Sequence, residues 1–246
     1  MKHQERTYRR LAYRDQLVSF RVTVKETDVL IHATRPLEDI TKELILKYRG
    51  YIEAYIRQHS EFAKTLRPWP ISGPAPLIVK DMAAAGEKAG VGPMAAVAGA
   101  VAEHVGRGLL THSKEVIVEN GGDVFIKTAG PATTGIFAGS SPLSLRIGLR
   151  IDPGSKPLAV CTSSGTVGHS ISMGKADAVC VVSGSCSLAD AAATSIGNRV
   201  ESKTDIQQAL DFGKQLEGVT GVVVIIGDSI GIWGELEVVP LNPDFS

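Results

Sequence analysis

The sequence predicts an α+β fold with mixed β-sheets packed against helices. Two observations carry that expectation. Short apolar or alternating runs of strand length outnumber the segments with helical spacing. Nor do the two kinds alternate one for one, as a parallel βαβ array would require.

The elements follow in order. Val18, Phe20, Val22 and Val24 alternate with polar residues, Lys25-Glu26-Thr27-Asp28 supplies a turn, and Val29-Leu30-Ile31 starts the return strand. Pro36 suits the start of a helix, and Leu37, Ile40, Leu44, Tyr48, Tyr51, Tyr55 and Ile56 recur at helical spacing to about residue 62. Arg67-Pro68-Trp69-Pro70 and Gly73-Pro74-Ala75-Pro76 form a stiff linker. From residue 77 the chain turns Ala/Gly-rich, and Met94 to Val105 reads as a helix that neighbours can approach closely. Strands are expected at 116–118, 124–126, 135–139, 143–149, 158–161 and 178–182, with a last one at 222–226. Helices are expected at 188–196 and 205–216. The reading is one domain over 1–246, with a hairpin and long helix in 1–66 and a Gly/Ala-rich core in 77–246.

The chain carries 26 Lys+Arg and 26 Asp+Glu, so no general attraction to nucleic acid or anionic membrane is expected. Arg6, Arg9, Arg10 and Arg14 read as one solvated strand face. The opening residues are polar and no apolar run approaches a bilayer span, so neither a signal peptide nor a membrane helix is expected. Three cysteines in apolar surroundings suit a reducing compartment and point to the cytoplasm. With no CxxC or HxxxH spacing near His104, His112 or His169, structural zinc is not expected and the cysteines read as small core residues.

Three stretches could carry chemistry. Asn120-Gly121-Gly122-Asp123 lies between two strands; its glycines permit positive φ and its N–H groups could cradle an anion, while a plain hairpin turn explains it as well. In Ala189-Asp190-Ala191-Ala192-Ala193-Thr194, a helix places the Asp190 carboxylate and Thr194 hydroxyl on one face. Such hard oxygens suit Mg²⁺. The competing reading is a carboxylate near a helix N-terminus, with Ser187 as cap. Cys161 to Ser170 (CTSSGTVGHS) offers hydroxyls, glycines and an imidazole but fits neither a P-loop nor a hydrolase elbow.

In order, these stretches resemble the ApbE family, the FAD-dependent protein flavin transferases, over roughly residues 78–200. Met94 to Val105 and VIVENGGDVF (116–125) look like its small-residue helix and its strand ending in Asn-x-Gly-Gly-Asp. IGLRIDP (147–153) and Ser163-Ser164-Gly165 look like its next strand and Thr-Ser-Gly. AVCVVSGSCSLADAAAT (178–194) looks like its closing strand and Ala-Asp-Ala-x-x-Thr helix.

The resemblance implies an ApbE-like fold, with Mg²⁺ on Asp190 and Thr194. It implies FAD near Asn120, Gly121, Gly122, Ser163, Ser164, Gly165 and Thr166, and Asp123 and His169 as catalytic groups. It also implies an acceptor protein whose Thr or Ser takes FMN as AMP leaves. The chain departs from the family in lacking ionisable groups in MAAVAGA (94–100), in lacking His-x-x-Asp-Pro-x-Thr-Gly, and in showing no lipoprotein signal. Two alternatives stay open. One is a non-catalytic module binding a flavin or another anionic small molecule. The other is an enzyme on a different phosphorylated or carboxylated substrate, with His169 as general acid/base. The Ala/Gly-rich helix is compatible with a homo-oligomer contact or with internal packing.

Overall fold

A computed structural model describes residues 17–165 and 174–241. Strands β1 (Val18–Val24) and β2 (Thr27–Ala33) form the expected hairpin, with Lys25 at φ 52° in the turn. Helix α1 (Glu38–Gln58) follows, burying Thr41, Ile45, Ile52 and Tyr55 along one stripe. Helix α2 (Leu77–Ala89) was not foreseen. Its stripe of Ile78, Val79, Met82, Ala85 and Ala89 is punctuated by small residues, and Gly90 ends it at φ 71°. The expected 94–105 helix begins as a 3-10 turn (Pro93–Ala96) and continues as α3 (Val97–Leu109).

Next come β3 (Val116–Asn120), β4 (Asp123–Lys127), β5 (Ala132–Gly135), β6 (Ile147–Ile151), β7 (Leu158–Ser163) and β8 (Ala178–Ser183). Helices α4 (Cys186–Gly197) and α5 (Ile206–Gln215) precede β9 (Val219–Ile226), β10 (Ser229–Gly234) and β11 (Glu237–Pro240). Strands expected at 135–139 and 143–149 therefore lie instead at 132–135 and 147–151. The final strand is followed by two more. Strand β10 alternates half-buried and exposed residues with glycines between, which hides its pattern.

Among the described residues, one sheet has the order β1-β2-β3-β4-β7-β8-β9-β10 and a second the order β11-β6-β5. The fold class is α+β, but the expected mixed sheets are replaced by antiparallel ones, because every described pairing is antiparallel. Parallel neighbours need a crossover that carries the chain back to the end where the first strand began, whereas antiparallel neighbours need a connection that returns it to the end it left. Strands β8 and β9, for instance, are joined by the pair α4 and α5, which returns the chain to the end it left.

The central strands of the large sheet are buried on both faces, while the edge strands β1 and β10 leave one face exposed. Residues such as Ile31, Val118, Phe125, Ala159, Val181 and Val222 meet the helices in one core. Their neighbours Ile117, Val124, Val160, Cys180 and Val223 meet the small sheet in another. Helix α4 lies on β7 and β8, with α2 and α3 against its other sides. All three cysteines are buried and unpaired, as expected of core residues.

Candidate active site at the ends of the central strands

The period-2 alternation of strands decides which side chains share a face. Asn120 continues the helix-facing series Val116, Val118; Asp123 shares its face with Phe125; Ser163 follows Ala159 and Cys161. The three polar residues thus gather under the helices at one end of β3, β4 and β7. The Asn-Gly-Gly-Asp stretch is a two-residue hairpin loop, with Asn120 paired to Asp123 and Gly121 and Gly122 at φ 70° and 110°. The N–H of Gly122 donates to Glu119 Oε1 at 3.0 Å, so that group of the turn already faces an internal carboxylate. Asn120 Nδ2 donates to the Ala98 carbonyl at 3.0 Å, fastening the turn to the first turn of α3.

Helix α4 supplies the second half. Ser185 is its N-cap, accepting from the Leu188 N–H, so the expected cap at Ser187 is corrected by two positions. The Ser183 hydroxyl already engages the Ser185 N–H and fixes the approach to the helix. Asp190 then falls in the second turn, too far along for the expected first-turn interaction with its own helix dipole. It meets another helix end instead. Gly99 N–H donates to Asp190 Oδ2 at 2.9 Å, and the Ala98 N–H also holds this carboxylate. The approach needs Gly99: a Cβ there would lie 2.3 Å from the Cys186 carbonyl oxygen and 2.9 Å from Asp190 Cβ.

The other Asp190 neighbour is Asp123, in carboxyl–carboxyl contact with it. Burial raises both carboxyls. Asp190 is pushed up to about 7, with the α3 N–H groups pulling it back towards the charged form. Burial, and beside it the Asp190 charge, hold Asp123 well above the usual carboxyl range, against the pull of the Cys161 thiol and the Thr162 N–H. Two carboxyls in contact and both raised hold a proton between them instead of ionising independently. Burial also raises Cys161, Cys186 and Cys180, the last to about 12, so the sulfurs beside the pair are neutral thiols.

Thr194 is buried one helical turn beyond Asp190. Ser163 is 5% exposed and its Oγ has no hydrogen-bond partner among the described residues. Gly165 closes the segment by donating to the Ala176 carbonyl at 3.0 Å. Ser164 follows Ser163 beyond the end of β7. Thr166 and His169 lie outside the described residues.

Sequence reasoning passed over Glu103. Its Oε2 accepts from Cys186 N–H at 2.8 Å and from Ser185 Oγ at 3.3 Å, and its Oε1 takes the Arg107 guanidinium. A lone acid one turn after Gly99 in an Ala/Gly helix was the available signal.

Among the described residues, no group of three or more His, Cys, Asp or Glu side chains could hold a metal by itself. Two carboxylates and nearby hydroxyls nevertheless match a cation that keeps waters and takes substrate oxygens. Zinc, by contrast, prefers sulfur and imidazole.

Comparison with known proteins agrees with this architecture. The UPF0280 protein of Methanocella arvoryzae is 42% identical over 214 residues, covering 87% of each chain. That of Methanococcus aeolicus is 44% identical over 203 residues, covering 80% of this chain and 82% of its own. Among solved structures, the flavin transferase ApbE from Vibrio cholerae superposes with TM-score 0.60 at 13% identity, covering 88% of this chain and 96% of its own. The ApbE protein from Thermotoga maritima gives 0.54 at 15% identity, covering 89% and 97%. At such identities the likeness is one of fold. The family model described as AbpE bacteria matches residues 9–238, and the chain belongs to that family.

Proposed function

We propose that the protein is a Mg²⁺-dependent, FAD-handling enzyme that transfers FMN from FAD to a Thr or Ser hydroxyl of an acceptor protein. The observation that supports this most is the Asp123–Asp190 pair, two buried carboxyls in contact with no cationic side chain among the described residues that shift them. Uncompensated, such a pair costs stability, and a bound cation relieves it. The unpartnered Ser163 hydroxyl beside it fits a site that is completed by a ligand.

In this reading Asp190 and Thr194 hold Mg²⁺, which would neutralise charge on the diphosphate. Asn120, Gly121, Gly122 and the Ser163–Thr166 segment line the nucleotide. The acceptor oxygen forms the new bond to phosphorus as the bond to AMP breaks; its proton passes to Asp123, which a bound cation would hold as the carboxylate, or to His169. The α3 N-terminus contributes the Ala98 and Gly99 N–H groups, which hold the Asp190 carboxylate in place. The family and the likeness in fold to flavin transferases support the reading, and three buried thiols suit a cytoplasmic setting. Partners are then a flavin nucleotide and a protein acceptor.

A second reading has one observation in its favour. Asp190 already caps α3, which alone would give it a structural role in a non-catalytic flavin-binding module. Incubation with FAD, Mg²⁺ and a Thr/Ser-bearing acceptor separates the two. The enzyme releases AMP and leaves the acceptor fluorescent, and Asp190→Ala abolishes both along with Mg²⁺-dependent FAD binding. Mg²⁺-dependent FAD binding without AMP across a panel of acceptors would favour the module, and undiminished FAD binding by Asp190→Ala would remove the metal assignment.

A further inference from the structure

Helices α3 and α4 complete each other's ends. The first turn of α3 has no side-chain cap of its own, and its Gly99 N–H is taken by Asp190 of α4 at 2.9 Å. The first N–H of α4, that of Cys186, is taken by Glu103 of α3 at 2.8 Å. Each contact spans one turn on either helix, 99 to 103 and 186 to 190, so the two bonds form a closed clasp across the tightest point of the interface. Glu103 is 9% exposed and its second oxygen is neutralised by Arg107 at 2.7 Å. A charge-assisted bond of this kind at a helix end is among the stronger ones available to the fold.

We infer that Glu103 is a positioning residue for the candidate site: by holding the N-terminus of α4 it fixes the register in which Asp190 faces both Asp123 and the α3 N–H groups. It touches neither Asp123 nor any proposed ligand, and acts only through α4. The proposal rests on the functional reading above for its consequence, and on the clasp alone for its geometry. Ser185 caps α4 locally through Leu188, so loss of Glu103 loosens the register without removing the helix. Groups that orient a metal ligand from outside characteristically change affinity by about 10–100-fold when removed.

The test compares Glu103→Ala, Glu103→Gln and Arg107→Ala in the full chain, with two readouts. The first is amide hydrogen exchange at residues 97–100, the far side of the clasp. Glu103→Ala is expected to raise exchange there. Glu103→Gln, whose amide oxygen still accepts from Cys186, is expected to restore protection, and Arg107→Ala to leave it near wild type. The second is FAD binding titrated with Mg²⁺, where Glu103→Ala is expected to need roughly tenfold more Mg²⁺, with rescue by Glu103→Gln. Unchanged protection at 97–100 in Glu103→Ala overturns the positioning role whatever the protein binds. So does an equal loss in Ala and Gln variants that both remain folded. A wild type that binds no FAD with Mg²⁺ overturns the functional reading instead, and the exchange readout then decides the clasp by itself.

Discussion

Two aspartates are buried against the same large sheet, and their surroundings differ in kind. Asp28, on β2, receives Arg21 through two bonds of 2.7 Å and the Thr23 hydroxyl at 3.1 Å. Asp123, on β4, receives a second carboxyl. The first is a charge matched as it folds; the second is left for something else to match. A buried carboxyl costs more stability beside a second carboxyl than beside a cation, so the crowded pair at the ends of the strands is where the fold gives up stability, as the proposed cation site would require. The rest of the clasp limits the cost with backbone donors, which stabilise one charge but not two.

The largest test of this contrast is Asp190→Ala. It is expected to abolish Mg²⁺-dependent FAD binding, read by fluorescence titration, while Arg21→Met leaves that binding unchanged. Next is pH. Both crowded carboxyls titrate above their unfolded range, so between about pH 4 and 7 the folded state binds more protons than the unfolded chain, and stability falls as pH rises through that window. The slope is expected to reach about 1.4 kcal/mol per pH unit for each proton, measured by urea unfolding, and to flatten in Asp190→Asn. A flat wild-type profile would mean that the pair is matched after all.

Smaller is Arg21→Met, which takes the guanidinium from Asp28 and leaves it the Thr23 hydroxyl. Because the Arg21 side chain is 55% exposed, a loss of about 1–2 kcal/mol in unfolding free energy is expected rather than the larger cost of a fully enclosed pair. Smallest is Ser163→Ala. Removing a buried hydroxyl that lacks a partner should leave the unliganded protein within about 0.5 kcal/mol or slightly stabilise it. Weaker FAD binding in the same variant would show that the hydroxyl belongs to a ligand.

Much of the fold is legible in the chain because each signal is local. The alternation in 18–24, the helical spacing from Leu37 to Ile56 and the apolar run at 178–182 each declare their own element. Helix α2 is not, since Ala85, Gly86 and Ala89 bury a face without apolar bulk to announce it. The one-turn spacing of Asp190 and Thr194 is legible for the same local reason. The meeting of Asp190 with Asp123 is not, because it is made by packing α4 on the sheet. Least legible are the donors from Ala98 and Gly99. They are backbone N–H groups, and any sequence that put a helix end there would supply them. The absence of ionisable residues in MAAVAGA therefore says little about what that segment offers.

The clasp between α3 and α4 also bears on how the chain is made. The Gly99 N–H finds its acceptor 91 residues downstream. During synthesis, the first turn of α3 emerges long before Asp190 exists, and it stays open to water until the second helix has been threaded into place. The candidate site therefore cannot close until α4 has been synthesised, and a nascent chain stalled before α4 would hold six of the eight strands of the large sheet but not the acceptor for the Gly99 N–H.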